Sequence, residues 1–163
     1  AATGLHLDHA NAHKHMHLHP TVGRMMIEEG LPHGLPALRI PAEPPRVMAA
    51  LGVPQGPGAH ALYAWTRLLR RQARRAGLQT NDHAFGIAWS GHMTADRLLA
   101  LIPRLPPGLS EVYFHPGTHK DAVLTRLMPS YEHAAELACL CDPAVRQALA
   151  AARMTLTGYD GAG

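Results

Sequence analysis

The sequence has no apolar run approaching the roughly 20 residues that a membrane-spanning helix requires, so this segment holds no such helix. It also lacks a dominant basic tract. The net charge is +3 with neutral histidines and the calculated pI is 9.2, yet the basic residues are scattered. Aromatic residues make up only 5% of the chain, too few for a base-stacking surface, and no nucleic-acid partner is implied. Cysteine is scarce as well. Cys139 and Cys141 stand two apart in a segment with a helical pattern, so they point to different faces and do not pair with each other. Buried, reduced thiols are the expectation, which favours the cytoplasm. The opening residues AATGLHLD contain neither an initiator methionine nor the basic and apolar regions of a secretory leader, and they read as part of something longer.

What the chain does have is hydrophobic residues and histidine. At 163 residues and 47% hydrophobic content it is long enough for one domain with a real core. The segment HANAHKHMHLHP, residues 9 to 20, places histidines at 9, 13, 15, 17 and 19. His13 and His17 are also i and i+4, the spacing of one helical face, so two geometries compete. Pro20 decides between them, because the residue before a proline is pushed toward extended backbone while proline itself suits the first helical turn. The reading is a strand and its exit over 7–18, followed by a helix from Pro20 to about Gly30. On such a strand His13, His15 and His17 share one face, and Met16 and Leu18 take the other. Imidazoles gathered this way suggest a metal site, since neutral imidazole is the commonest protein metal ligand; a surface strand with solvated histidines is the alternative.

Strand-like and helix-like segments alternate along the rest of the chain. A short strand is expected at Ala37 to Ile40, a helical turn near Val47 to Leu51, a long amphipathic helix from Ala59 to Ala76 and a buried strand in HAFGIAW. A second amphipathic helix follows from Met93 to Leu105, then an apolar strand in SEVYFHPG. Helices over Tyr131 to Cys141 and Pro143 to Arg153 precede a last strand in MTLTGYD. The alternation defines an α/β class with a mainly parallel sheet and no linker dividing it. In such sheets functional residues collect where strands end, which draws attention to His13 through His19, Arg39, Ser90 with His92, and His115.

Four motifs in this order, HANAHKHMHLHP, LRIPAEPP, FGIAWSGHMT and EVYFHPGTHKD, resemble the YdjC-like carbohydrate deacetylases, and within them the hopanoid-biosynthesis branch known as HpnK. The resemblance covers nearly the whole chain. It implies a (β/α) barrel-like fold of which this chain, as a single domain over 1–163, is the C-terminal portion. It also implies a metal-dependent hydrolase that removes the N-acetyl group from an amino sugar, here an N-acetylglucosaminyl hopanoid lipid. A divalent ion, Mg or Zn, is the implied cofactor. His13 maps onto a metal ligand, and its neighbours His15 and His17 line the pocket. His115 maps onto the family's C-terminal active-site histidine, as proton donor to the leaving amine or as oxyanion stabiliser.

Glu111 begins the same strand as His115 and is assigned to orienting a neighbour, with a solvated carboxylate as the alternative. Arg39 is assigned to substrate, with an ordinary salt bridge as the alternative. Arginines crowd the long helix at 67, 70, 71, 74 and 75; a solvated face and a peripheral contact with anionic membrane are both readings of them. The family's acidic first-strand motif and a further N-terminal histidine have no counterpart in this segment, and Asn11 stands where many relatives carry aspartate. The chain alone is therefore expected to be inactive, and its unpaired strand edges favour self-association. A non-catalytic metal- or glycolipid-binding module derived from such an enzyme is the second reading.

Overall fold

The computed structural model describes residues 8–159. After an extended start, residues His13–Leu18 coil into 3-10 turns, and helix α1 follows over Pro20–Gly30 with its proline in the first turn. Short α2, Pro45–Ala50, and long α3, Pro57–Arg75, lead to strand β1, His83–Phe85. Helix α4, Ala95–Leu101, strand β2, Ser110–Val112, and helices α5, Ala122–Leu127, α6, His133–Cys141, and α7, Pro143–Ala151, complete the order.

Strands β1 and β2 pair in parallel, with Ala84 opposite Glu111. Isolated parallel bridges extend this arrangement: Ala10 pairs with Leu38, and Ala37 with Gln79. Backbone hydrogen bonds from Ala84 N–H to the Ala42 carbonyl and from Tyr113 N–H to the Phe85 carbonyl continue the register beyond the named strands. Four extended segments thus lie side by side in chain order, around Ala10, 36–42, 79–85 and 109–113. Their C-terminal ends all point the same way.

Between the second and third of these segments the backbone ladder is completed by a side chain. The amide of Asn81, fully buried, accepts from Ile40 N–H at 2.6 Å and donates to the Ile40 and His83 carbonyls at 2.8 Å each. A buried backbone polar group without a partner is costly, and this one amide satisfies three of them.

Two apolar clusters flank the ladder. Ile27, Leu38, Ile40, Leu69, Ala73 and Leu78 join α1 and α3 to the first segments. Met48, Phe85, Trp89, Met93, Leu98, Leu101, Ile102, Cys139 and Val145 join α2, α4, α6 and α7 to β1. Gly23 in α1 lets the helix approach the preceding turn, since a Cβ there would sit 2.6 Å from the His17 carbonyl oxygen. The Trp65 indole donates to the Leu18 carbonyl at 2.7 Å and ties α3 to the same turn.

Several expectations need correction. The strand over 7–18 is confined, among the described residues, to the bridge at Ala10, while residue 7 lies outside them. Lys14 and His15 adopt left-handed φ values of 48° and 55°, which break any two-residue alternation and scatter the histidines in depth. β1 stops at Phe85 because Gly86 turns the chain with φ 113°. β2 ends at Val112, well short of the HPG end of its segment. The helix expected over 93–105 is a shorter α4, capped by the Thr94 hydroxyl, which accepts from Arg97 N–H, and continued by a 3-10 turn over Ile102–Arg104. Residues 154–159 form no strand, and Asp160 lies outside the described residues. Helix α5, capped by Asp121, was not anticipated. Cys139 is buried but Cys141 is exposed, and both are free. No described helix is long and apolar enough to cross a membrane.

If the Asn81 amide completes the ladder, Asn81→Ala leaves three buried backbone groups unpaired at about 1–3 kcal/mol each. Urea denaturation should show a loss of at least ~3 kcal/mol, a large part of an ordinary domain's stability. A loss below ~1 kcal/mol would show that backbone pairing alone holds the two segments.

Candidate functional site

The first extended segment leads into the 3-10 turns, and these set the three histidines at different depths. His13 is exposed. His15 is half-buried and reaches across to Tyr113, with its Nε2 3.1 Å from the phenol oxygen. His17 is fully buried, and its Nε2–H donates to the Arg39 carbonyl at 2.9 Å. That bond fixes the tautomer, leaving the His17 Nδ1 lone pair inside the protein without a partner. The rings of His15 and His17 meet edge to face at 6.3 Å.

The second segment brings in Arg39 and Glu43. Arg39 forms an ion pair with Glu111 of β2, both side chains largely buried, and its guanidinium stacks 5.3 Å from the Tyr113 ring centroid. Glu111 also accepts from the Tyr159 hydroxyl at 2.6 Å. Arg39 is therefore held by protein on two sides. Glu43 accepts three successive backbone N–H bonds, from Gly86, Ile87 and Ala88, each at 3.0 Å. Such a run of N–H groups is an anion-binding concavity, and here the chain's own carboxylate fills it. Gly86 is required at this bend, because a Cβ would lie 2.7 Å from the Tyr113 carbonyl oxygen.

The fourth segment delivers Tyr113 and His115. The His115 ring lies 5.7 Å from that of Tyr113 and 4.9 Å from that of Tyr131. The Tyr131 hydroxyl is 2.9 Å from the Ser90 hydroxyl. His15, Tyr113, His115 and Tyr131 thus make a continuous band of imidazoles and phenols across the strand ends. Helix α6 supports it from behind: Glu136 accepts the His115 backbone N–H, and the buried His133 ring donates to the His115 carbonyl at 2.6 Å.

Burial dominates the electrostatics. It pushes the His15 imidazole down to about 4, aided by the positive fields of His17 and Arg39. His17, His83 and His115 are also lowered, chiefly by burial. For His115 the Glu136 carboxylate opposes that trend. Burial and the negative charge of Glu43 raise the Tyr113 phenol well above its usual range, so it stays a protonated donor. Burial raises Glu43 itself against its three N–H donors.

The arrangement can hold a polar ligand, present a phenol donor and move a proton through an imidazole. It does not by itself fit a metal. Among the described residues no three histidine, cysteine or carboxylate side chains converge as ligands, and His13 stands apart at the surface. The unpartnered His15 and His17 Nδ1 atoms have the right donor chemistry but lack a third partner.

Of the residues singled out in the sequence, the fold brings His15, Arg39 and His115 near Tyr113, pairs Arg39 with Glu111 within β2, buries His17 fully and leaves His13 exposed. Glu43, Tyr113, Tyr131, His133 and Glu136 are not among those singled out. Glu43 sits inside LRIPAEPP, and Glu136 is the one carboxylate in the otherwise largely apolar HAAELACLC, so both carried a signal. A separate groove of about 1250 Å³ runs along the outer side of β2, lined by Leu105, Val112, Phe114, Leu149 and Met154 among others. It includes Glu111 but not His15 or His115.

An α/β fold with parallel segments in chain order and an imidazole–phenol band at their ends defines the class. The chain matches the YdjC-like protein family over residues 1–151 and belongs to that family, which is related to carbohydrate deacetylases. It is similar in fold to a solved structure from Enterococcus faecalis, a protein to which cellobiose-phosphate cleavage has been ascribed. The identity is 16% and the TM-score 0.67; the match covers 98% of this chain and 54% of that one. The chain therefore spans about half the length of that structure. No curated protein matches.

The buried neutral imidazoles give a signed pH dependence. The unfolded chain binds protons near pH 6.5, whereas folded His15, His17, His83 and His115 bind them only at lower pH. Stability should be complete above pH 6.5 and fall as the pH drops toward about 4. Glu43, raised in the fold, works in the opposite direction but is one group against four. Thermal denaturation should give a lower midpoint at pH 5 than at pH 7; equal midpoints would mean that these imidazoles are not held neutral.

Proposed function

We propose that the chain forms part of an N-deacetylase that hydrolyses the acetamide of an N-acetylated amino sugar, with an N-acetylglucosaminyl hopanoid lipid as the substrate. The observation that supports this reading most is the convergence of His15, Tyr113, Arg39 and His115 at one end of four parallel segments. In this hydrolysis water adds to the acetamide carbon, the C–N bond breaks, and acetate and a free amine leave. The amine needs a proton as it departs, and a positioned imidazole can supply it. Because His115 is less basic than an ordinary histidine, it is mostly neutral near pH 7. It would accept a proton from the attacking water and pass it to the amine. The Tyr113 phenol, kept protonated, would donate a hydrogen bond to the ligand or hold His15 in place.

The resemblance assigns a divalent ion, Mg²⁺ or Zn²⁺, with His13 as one ligand. Such an ion would polarise the acetamide carbonyl. Since the described residues do not complete its site, the steps above are assigned to protein groups alone. Exposed Arg67, Arg71 and Arg75 on α3 would suit contact with anionic lipid, whereas Arg70 and Arg74 are engaged with Asp82.

Acetate release from an N-acetylglucosaminyl lipid, measured on the full-length protein beside metal content, tests the reading. His115→Ala should lower turnover by about 100-fold or more, the usual worth of acid–base catalysis, without changing metal content. His13→Ala should lower metal content. Acetate release unaffected by His115→Ala would contradict the proposal, and metal loss in that variant would make His115 a ligand instead.

A further inference from the structure

Helix α6 carries one deeply buried carboxylate that the deacetylase reading does not use. Glu136 is 1% exposed, and its two oxygens are divided between two segments. Oε1 accepts Met93 N–H at 3.0 Å, in the turn that leads into α4. Oε2 accepts the His115 backbone N–H, at the exit of β2. The same Oε2 lies 3.9 Å from His115 Nδ1, a buried nitrogen with no hydrogen-bond partner. One helical turn earlier, on the same face of α6, His133 Nδ1–H donates to the His115 carbonyl. Gly117 N–H then bonds to the His133 carbonyl at 3.2 Å. Helix α6 therefore grips both backbone polar groups of His115 and sets a negative charge beside one ring nitrogen.

We propose that Glu136 is a positioning residue for His115: its buried carboxylate fixes the His115 backbone and orients the imidazole with Nδ1–H toward α6, leaving Nε2 to face the ligand. This deepens the deacetylase reading and rests on it for the reaction served. A buried carboxylate is costly unless it is hydrogen-bonded, and a tie between two loops needs only neutral acceptors. The placement of Oε2 beside the ring nitrogen is what a loop tie does not require. When the ring takes up a proton, the developing charge faces Glu136, and a small rotation closes the 3.9 Å gap to an ion pair. The other groups around His115 act the opposite way or not at all. His133 from α6 and Arg39 from the second segment disfavour its protonation, as does burial; the Tyr113 and Tyr131 rings pack against it edge to face. Glu136 is the source of opposing negative field.

The test is the titration of His115 in the ¹⁵N-labelled full chain, followed through the long-range couplings of its ring nitrogens. In Glu136→Gln the His115 ring should bind its proton about tenfold more weakly, and the Nδ1–H tautomer should lose its preference. Glu28→Gln, at an exposed carboxylate on α1, should change neither. If Glu136→Gln does not fold, Glu136→Asp keeps the charge but withdraws it, and an intermediate shift is expected. A folded variant whose His115 titration and tautomer match the unsubstituted chain overturns the proposal. So does failure of both variants to fold, which makes Glu136 a structural tie. Where acetate release is measurable, Glu136→Gln should lower kcat with little change in KM and move the limb of the pH profile that reports His115. Absence of acetate release from the unsubstituted protein would count against the deacetylase reading alone, and the titration would still decide this one.

Discussion

The buried amide of Asn81 is the constraint on which the rest of the structure depends. Between Ile40 and His83 no continuous backbone ladder exists, and the amide supplies the missing acceptor and two donors from within the sheet. It fixes the segment carrying Arg39 and Glu43 against the segment carrying Gly86 and Ser90. With that spacing set, Arg39 reaches Glu111, Glu43 fills the bend at 86–88, and β1 can pair with β2 to bring Tyr113 and His115 alongside. Loosening this contact would act first on the segment that carries Arg39 and Glu43.

The site concentrates polar side chains where burial is costly, and each charge is answered by the chain itself. Glu43 is held by backbone N–H groups, Arg39 by Glu111 and Glu136 by the His115 and Met93 amides. The imidazoles of His15, His17 and His115 have fewer partners and respond by staying neutral, each with a free ring nitrogen. This combination gives unprotonated imidazoles beside the protonated Tyr113 phenol at neutral pH.

Much of this was legible in the residues. Pro20 marked the start of α1, the 3.6-residue period marked α3, and alternating strand and helix patterns gave the parallel α/β class. The histidine alternation was misleading, because two left-handed residues turn the chain and place His13 outside, His15 in the site and His17 in the core. Local pattern cannot reveal that, since the depth of each ring is set by long-range contacts to Tyr113 and the Arg39 carbonyl. Strand ends were misjudged for a similar reason: Gly86 bends β1 to clear the Tyr113 carbonyl, a contact 27 residues away in sequence. Glu136 stands out as the one carboxylate of a largely apolar helix, but only tertiary structure shows that the charge has partners.

If the imidazole–phenol band at the strand ends receives the proposed amino sugar, the groove along β2 stays clear of it. Mapping N-acetylglucosamine binding by side-chain chemical-shift changes on the labelled full chain tests it most directly. The changes should centre on His15, Tyr113, His115 and Tyr131. Changes centred instead on Leu105, Val112, Leu149 and Met154 would place the sugar in the groove and contradict it.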